Sequence, residues 1–345
     1  MEGAINRLVH GGTAVSGEEK SLIHLISLKE QSKEDILDIL DLAKEIKKKR
    51  SRNEPTPYLA GKTMVMLFEK SSTRTWISYD VAMKQMGGIV SAPDFSKTNF
   101  SLTEFDIEMR AVMEYADVLV YRAREAKKVL EAASYNKIPV IDACSEKYHP
   151  SQALGDILTM AEYSNGVGNI GKVAWLGIEN NVMNTLMLAC AKLGIEFAII
   201  GPKNYGVDES SVDEELKKMA ESTGLVERTS DVSEGLKGAK YIHTDTWMNM
   251  EFFEGGKIKP EFNDKYEERK KLFLPYQVNA KLIGEYAPNA KVMHCMPCHI
   301  GYEITRDAVF HPNSIIFPQT QNRLHMQKAI LMYVLGIGMP RRSAV

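Results

Sequence analysis

The sequence predicts an α/β protein built from two doubly wound parallel-sheet domains that are linked by helices. Short apolar runs, typical of buried strands, alternate along the chain with longer segments whose apolar residues recur at helical spacing. This alternation is typical of parallel sheets that helices cover on both faces. The 345 residues are enough for two domains of ordinary size, and 44% of them are hydrophobic, as in globular proteins.

The first predicted helix spans residues 32–49. Ser32 can cap its start, and Glu34 and Asp35 stand near the positive end of the helix dipole. The residues at helical spacing that indicate one buried face are Ile36, Ile39, Leu40, Ala43 and Ile46. The helices predicted further along the chain occupy residues 76–86, 126–134, 150–163, 182–193, 212–222 and 327–335.

The predicted strands are short and apolar, and most of them stand between two predicted helices. They occupy residues 63–68, 118–121, 138–141, 173–176, 197–200, 241–244 and 292–295. The boundary between the two sets of strand–helix units falls near residues 145–152. Because no stretch rich in proline and glycine stands there, we expect a helix to bridge the two domains.

The overall composition narrows the classes of function. A formal net charge of −2 argues against nucleic acid or another polyanion as a partner. The sequence has no run of about 18 apolar residues, so we expect no membrane span. Four scattered cysteines are too few for a secreted disulfide framework, and residues 1–24 read as a loose tail without the apolar stretch of a signal peptide. These features favour a cytoplasmic protein.

A first candidate site lies between the strand at residues 63–68 and the following helix. A strand–loop–helix junction directs free backbone N–H groups and the positive dipole end at one point, which suits an anion. Ser72, Thr73 and Thr75 add hydroxyl donors, and Arg74 adds a planar fork that matches phosphate oxygens. The alternative interpretation is an ordinary capped helix with an arginine on its surface.

A second candidate site begins at His149. Pro150 fits the first position of a helix, so His149 stands at the helix mouth and Gln152 lies one turn inside. Both side chains can hydrogen-bond a small ligand. Arg122 ends the strand at residues 118–121, and ligands of open α/β sheets bind at strand ends of this kind. A capped helix with a partly exposed histidine is the alternative.

A third candidate site is Cys295, at the end of the strand predicted at residues 292–295. Cys295 and Cys298 form a C-x-x-C pattern, which is also compatible with redox chemistry or with half of a zinc site. The sequence lacks a thioredoxin-like unit, and His294 and His299 are too close in sequence to complete a zinc tetrahedron easily. We therefore predict no metal, while a buried cysteine that only packs remains the simplest alternative.

Two nucleotide-binding patterns can be set aside. The run from Gly166 to Gly171 matches G-x-G-x-x-G, the dinucleotide fingerprint, which must follow a strand and open a helix. Here the run follows a predicted helix and precedes a strand, so we reject it. The sequence also contains no G-x-x-x-x-G-K-[ST] pattern, which argues against a P-loop kinase.

Three stretches together resemble the aspartate/ornithine carbamoyltransferase family, and most closely its ornithine branch. They are Phe68-Glu-Lys-Ser-Ser-Thr-Arg-Thr75, His149-Pro-Ser-Gln-Ala-Leu-Gly-Asp156 and His294-Cys-Met-Pro297. The resemblance covers about residues 25–338. It implies a carbamoyl-phosphate-binding domain at residues 25–150, an amino-acid-binding domain at 151–320, and a C-terminal helix at 321–345 that returns to the first domain. It also implies homotrimers that share active sites, and no cofactor.

The resemblance carries roles for individual residues. Those implied to hold carbamoyl phosphate are Ser72, Thr73, Arg74, Thr75, Arg122, His149, Gln152, Cys295, Met296 and Arg323. Of these, Arg74, Arg122, His149 and Cys295 are the predicted catalytic residues. The family chemistry is attack of a neutral amine on the carbonyl carbon, with Cys295 as a contact and not as a covalent nucleophile.

The resemblance also implies an acceptor site for ornithine, formed by Asn181, Asp245, Asn249 and Met250. Asp245 would accept a charge-assisted hydrogen bond from the α-amino group. The chain departs from the family pattern at Asn249, where serine is usual, and residues 252–268 form a longer segment than ornithine enzymes usually carry. A carbamoyltransferase for another amine, such as putrescine, and a non-catalytic relative are therefore the alternatives.

Overall fold

The computed structural model describes residues 22–203, 206–248, 252–254 and 257–338. Its first sheet has four parallel strands in the order β2–β1–β3–β4. These strands are β1 (Thr63–Phe68), β2 (Ile89–Ser91), β3 (Val118–Arg122) and β4 (Val140–Asp142). The helices of this part are α1 (Lys33–Ser51), α2 (Thr73–Gln85), α3 (Phe105–Met113) and α4 (Ala126–Ser134).

The second sheet has five parallel strands in the order β11–β8–β5–β6–β7. An antiparallel pair, β9 with β10, stands apart from it. The strands are β5 (Lys172–Leu176), β6 (Phe197–Ile200), β7 (Val226–Thr229), β8 (Ala239–Thr244), β9 (Phe253–Glu254), β10 (Lys257–Ile258) and β11 (Lys291–His294). The helices are α5 (Pro150–Tyr163), α6 (Asn181–Leu193), α7 (Glu214–Glu221), α8 (Val232–Leu236), α9 (Asn263–Phe273), α10 (Ala280–Tyr286), α11 (Arg306–Val309) and α12 (Ile316–Val334).

Local chemistry fixes several of these helix ends. Ser32 and Asp35 form a reciprocal capping box at the start of α1, as its serine and acidic residues predict. The Asn180 side chain accepts two backbone N–H groups at the start of α6, and Gly194 ends that helix with a positive φ of 77°. Pro150 begins α5, and its lack of a backbone N–H costs nothing there, because an N–H in the first turn has no acceptor within the helix.

Strand order brings the candidate sites to the switch points of both sheets. In the first sheet the chain proceeds from β1 to β2 on one side and to β3 on the other, so the ends of β1 and β3 flank a crevice. In the second sheet the same change of direction occurs between β5 and β8. These are the positions at which open parallel sheets bind ligands.

Two helices connect the sheets. α5 follows the first sheet and leads into the second, as the absence of a flexible linker predicts, and α12 packs against α1, α2, α5 and β11. Gly155 on α5 allows close approach, because an added Cβ would lie 3.5 Å from the Cα of Arg323 on α12. One buried apolar core includes both helices and side chains of both sheets, and a second core lies within the second sheet and its helices.

The fold class predicted from the sequence, two doubly wound parallel sheets, is confirmed. The last predicted helix, residues 327–335, was placed too late, since α12 begins at Ile316. Its first half buries polar side chains such as Gln319 and Asn322, so it shows no apolar stripe. Within the described part of the chain, no helix is long and apolar enough to cross a membrane.

Candidate active site

The candidate anion site predicted after the first strand lies at the start of α2. The chain leaves β1 at Phe68 and enters α2 at Thr73, with Ser72 at the N-cap in an extended conformation. Among the described residues no side chain caps this helix, and its first turn holds no acidic residue. Its N–H groups and the positive end of its dipole are therefore available to a bound anion.

Three arginines from separate parts of the chain converge beside this helix start. Arg74 lies in the first turn of α2, Arg122 ends β3, and Arg323 of α12 donates a hydrogen bond to the Thr75 hydroxyl. Burial, followed by the charges of Arg323, Arg122 and Arg74, holds the pKa of His149 well below its usual value. All three arginine charges thus lie near enough to the His149 ring to disfavour its protonation, and Arg323 contacts the ring directly.

Arg323 is the most deeply placed of the three. It is 4% exposed, and burial together with the charge of Arg122 lowers the pKa of its guanidinium from 12.5 to about 10. Its Nε atom has no hydrogen-bond partner within the described residues, and neither has the Nε atom of Arg122. A bound anion would supply both the missing acceptors and the missing negative charge.

The arginines determine which nitrogen of His149 carries the proton. Its Nε2 lies 3.1 Å from Nη2 of Arg323, and because a guanidinium can only donate, Nε2 must accept. The neutral ring then carries its proton on Nδ1, which has no partner among the described residues. His149 therefore offers one N–H donor, next to a cationic cluster.

Gln152 offers the complementary acceptor. Its Nε2 donates to Oδ1 of Asp156 at 2.7 Å, and a carboxylate accepts but does not donate, so the orientation of the amide is fixed. The Oε1 atom is buried and has no partner in the described part of the chain. The site thus holds one donor and one acceptor, the pair that a –C(=O)–NH₂ group requires.

Asp156 belongs to a buried network that the sequence analysis did not identify. It accepts a second amide hydrogen bond, from Nε2 of Gln319 at 2.7 Å, and its Oδ2 lies 3.0 Å from Nε2 of His243. Gln319 in turn accepts the backbone N–H of His294. The spacing of Gln152 and Asp156, four residues apart in a helix, was the available signal for one part of this network.

Cys295 follows β11 and lies beside Asp245. Burial, and then Asp245, raise the pKa of the Cys295 thiol well above its usual value, so it stays protonated at neutral pH. A thiol in this state is a poor nucleophile, in keeping with a contact role. Met296 follows with a positive φ of 62°, and its N–H donates to Nδ1 of His294 at 2.8 Å.

A metal-like grouping occurs here, although it differs from the C-x-x-C site considered from the sequence. Ligand atoms of Asp245, His294 and Cys295 lie within 4.8 Å of one another, and Cys298 does not take part. Both ring nitrogens of His294 are engaged, since Nδ1 accepts the Met296 N–H and Nε2 lies 3.2 Å from the Glu303 carboxylate. Of this grouping only Asp245 and Cys295 remain, fewer protein ligands than a zinc site uses.

Two of the four predicted acceptor residues, Asp245 and Asn181, lie in the segments that follow β8 and β5. Asp245 is buried and accepts hydrogen bonds from Nδ2 of Asn180 and from its neighbour's N–H, both at 2.8 Å. Asn181 begins α6, and its Nδ2 donates to the backbone oxygen of Ser145, between the two sheets, at 2.7 Å. The predicted residues Asn249 and Met250 lie outside the described residues.

Comparison with known proteins finds similarity over nearly the whole chain. The family description "Aspartate/ornithine carbamoyltransferase, carbamoyl-P binding domain" matches residues 23–162, and its companion "Asp/Orn binding domain" matches residues 170–334. The ornithine carbamoyltransferase of Bacillus subtilis is 38% identical over 91% of this chain and 94% of its own length. The anabolic enzyme of Pyrococcus furiosus is 36% identical, over 90% and 96%.

Solved structures give the same result. Ornithine carbamoyltransferase from Pyrococcus furiosus superposes with a TM-score of 0.81 at 34% identity, covering 92% of this chain and 98% of that one. The enzyme from Thermus thermophilus has a TM-score of 0.76 at 30% identity, covering 90% and 98%. The resemblance found in the sequence is confirmed, and the chain belongs to the aspartate/ornithine carbamoyltransferase family.

Proposed function

We propose that this chain transfers the carbamoyl group of carbamoyl phosphate to the side-chain amine of ornithine, giving citrulline and phosphate. The observation that carries the proposal is that Arg323 bonds both the Thr75 hydroxyl at the start of α2 and Nε2 of His149, so one guanidinium joins the candidate anion site to the His149 donor. Phosphate would be bound by the arginines, and the carbamoyl group by the N–H at Nδ1 of His149 and by Oε1 of Gln152, neither of which has a partner among the described residues. The names of the relatives support ornithine as the acceptor.

In the proposed reaction the neutral amine of ornithine attacks the carbonyl carbon of carbamoyl phosphate. A C–N bond forms, the C–O bond to phosphate breaks, and the departing phosphate takes the proton that the amine loses. The N–H at Nδ1 of His149 stabilises the charge that develops on the carbonyl oxygen, and Gln152 Oε1 orients the carbamoyl nitrogen. The arginines stabilise the leaving phosphate, and alignment of the two ligands supplies much of the acceleration.

The roles assigned to individual residues follow from this reaction. The residues that would hold carbamoyl phosphate are Ser72, Thr73, Arg74, Thr75, Arg122, His149, Gln152, Cys295, Met296 and Arg323. Residues 25–150 would carry most of this site, and residues 151–320 would carry the acceptor site. Asp245, buried and already accepting two hydrogen bonds, would accept the α-ammonium group of ornithine, together with Asn181, Asn249 and Met250. The reaction needs neither a metal nor an organic cofactor.

One observation keeps putrescine as a second candidate acceptor. Nδ2 of Asn181 is already bonded to the Ser145 carbonyl, so an acceptor carboxylate would have to displace this bond. Putrescine carries no carboxylate and would leave it in place. It would, however, leave the Asp245 carboxylate without an α-ammonium partner.

The test is kcat/KM for ornithine, lysine, 2,4-diaminobutyrate and putrescine under one condition. A site built to hydrogen-bond an amino-acid head rejects analogues without it by as much as ~10⁴-fold, so we expect ornithine to exceed putrescine widely. Equal or better rates with putrescine would show that Asp245 does not bind an α-amino group. The carbamoyl chemistry would survive that result, and the acceptor assignment would not.

We further infer a homotrimer that works in the cytoplasm. Several large apolar side chains stay exposed on the first sheet and its helices, including Trp76, Ile89, Leu102 and Tyr115, which supports an interface between subunits there. Light scattering of the purified protein should give three times the chain mass of 38.7 kDa. All four cysteines are free thiols, as suits a reducing compartment, and cell fractionation would test the location.

A further inference from the structure

We propose that His299 is a positioning residue for the acceptor, which acts by clamping the turn at residues 245–248 that carries Asp245. This inference rests on the proposed function, because it concerns the head of the same amino-acid acceptor. His299 is not among the site residues that the family resemblance implies. The β9–β10 hairpin, whose Phe253 packs on the His299 ring, belongs to the segment at residues 252–268, which is longer than ornithine enzymes usually carry.

The clamp is a hydrogen bond between two loops. Nδ1 of His299 lies 2.7 Å from the hydroxyl oxygen of Thr246, and that hydroxyl donates to the backbone oxygen of Met248 at 2.8 Å. Because the hydroxyl proton is already used, Nδ1 must be the donor to Thr246. Burial lowers the pKa of His299 below its usual value, so the ring is neutral at pH 7 and Nε2 carries no proton.

The clamped turn sets the direction of Asp245. The backbone N–H of Thr246 donates to Oδ1 of Asp245 at 2.8 Å, while Asn180 holds Oδ2 at the same distance. A rotation of the Thr246 peptide would therefore turn the carboxylate. A second contact fixes the next residue, since Nη1 of Arg269 on α9 donates to the backbone oxygen of Trp247 at 3.0 Å.

The His299 ring is itself held on two sides. Phe253 of β9 stacks on it, with ring centroids 4.2 Å apart and an angle of 14° between the planes. The backbone N–H of His299 donates to Oε1 of the buried Glu303 at 2.5 Å. The hairpin is thus joined to the Asp245 turn through one imidazole, and this imidazole also lines the small hollow between Thr246, Tyr266 and Tyr302.

The side-chain hydrogen bond of His299 lies on the Asp245 side of the site, whereas its backbone N–H bonds Glu303, which substitution of the side chain leaves in place. Within the ranges that the structure describes, no hydrogen bond joins it to Arg74, Arg122 or Arg323, whereas its bond to Thr246 acts one residue from Asp245. Loss of the clamp should therefore weaken binding of the amino-acid head and leave binding of carbamoyl phosphate unchanged. A purely structural role would impair both ligands together.

The experiment compares four variants for citrulline formation from ornithine. His299→Ala removes the donor, His299→Asn restores an N–H near the position of Nδ1, and His299→Gln places it near Nε2 instead. We expect alanine and glutamine to raise the KM for ornithine about tenfold, the effect of one hydrogen bond, and asparagine to remain within about threefold of the parent. His311→Ala, a histidine at a turn of the same domain, is the matched control and should change nothing.

Binding supplies a readout that does not depend on turnover. Calorimetry with 2-aminopentanoate, the ornithine skeleton without its side-chain amine, measures binding of the head alone in the presence of carbamoyl phosphate. We expect His299→Ala to weaken binding of this probe and Thr246→Val to weaken it at least as much, since valine also removes the hydroxyl's bond to the Met248 backbone oxygen. Adding His299→Ala to Thr246→Val should cause little further loss, because both changes remove the same His299–Thr246 bond. If His299→Ala fails to fold, Thr246→Val carries the test.

The outcomes distinguish this inference from the proposed function. If the parent enzyme carbamoylates no ornithine, the proposed function fails. Calorimetry with 2-aminopentanoate still reports whether loss of the His299–Thr246 bond weakens binding of an amino-acid head. If the parent makes citrulline while His299→Ala keeps its KM and its affinity for the probe, the clamp has no role. Equal loss of carbamoyl phosphate binding, or rescue by glutamine instead of asparagine, would also overturn it.

Discussion

Replacing Arg323 with methionine should separate the stability of this protein from its ligand binding. Arg323 is buried, and lowering its pKa from 12.5 to about 10 corresponds to a cost of about 3 kcal/mol for keeping its charge in the unliganded fold. Methionine has similar length and no charge. The substitution loses the hydrogen bonds to the Thr75 hydroxyl and to Nε2 of His149, each worth about 1 kcal/mol.

These terms predict that Arg323→Met is at least as stable as the parent without ligand, by up to about 1 kcal/mol. Binding should respond in the opposite way. A charge-assisted hydrogen bond is worth about 1.5–3 kcal/mol, so losing one such bond should weaken carbamoyl phosphate by about 10- to 100-fold. A buried arginine thus lowers stability and supports function at the same position.

The assay is thermal unfolding with and without inorganic phosphate or carbamoyl phosphate, combined with the KM for carbamoyl phosphate. The parent should gain stability on adding either anion, and Arg323→Met should gain much less. Arg323→Lys is the control that keeps a charge without the planar fork. An unliganded variant destabilised by several kcal/mol, or an unchanged affinity for carbamoyl phosphate, would refute the reasoning.

Three further predictions concern Arg74, the buried Asp142 at the end of β4, and Cys295. Arg74→Ala should abolish turnover without changing the circular dichroism spectrum, because Arg74 lies half-buried at a helix start and not in the core; normal turnover at saturating carbamoyl phosphate would contradict the anion site. Burial raises the pKa of Asp142 from its ordinary value of 3.8 to about 7. Between these two pH values the carboxyl ionises in the unfolded chain but not in the folded one, so the parent loses stability as the pH rises. The stability of Asp142→Asn relative to the parent, followed by urea unfolding, should therefore increase between pH 5 and pH 8, and a constant difference would exclude this effect. EDTA should leave activity unchanged, and activity lost to EDTA and restored by zinc would establish a metal site. The rate at which Cys295 is alkylated, followed by peptide mass, should still increase above pH 9 because the pKa of its thiol is raised.

Local sequence patterns were sufficient wherever one turn or one strand carries its own signal. The strands at residues 63–68 and 197–200 and the helix at 126–134 have the predicted bounds. Each combines an apolar pattern with flanking polar residues, so the signal needs no distant partner. The junction before Thr73 was predicted for the same reason, since a strand followed by hydroxyl residues and a helix is visible within a dozen residues.

Elements whose stability comes from distant contacts were missed or misplaced. β7 exposes the side chains at its centre, and it is a strand only because β6 pairs with it. The first half of α12 buries Gln319, Asn322 and Arg323 against polar partners from other helices, which removes the apolar period. Helical spacing cannot reveal a helix whose buried face is polar.

For the site, the sequence determined the inventory of groups: the arginines, His149, Gln152, Cys295 and the carboxylate of Asp245. Only the tertiary structure decided what each group offers. The proton of His149 is on Nδ1 because Arg323, 174 residues away in the chain, donates to Nε2. Gln152 presents its oxygen because Asp156 accepts from its nitrogen. Proton positions and amide orientations depend on neighbours in space, and one-dimensional spacing does not contain those neighbours.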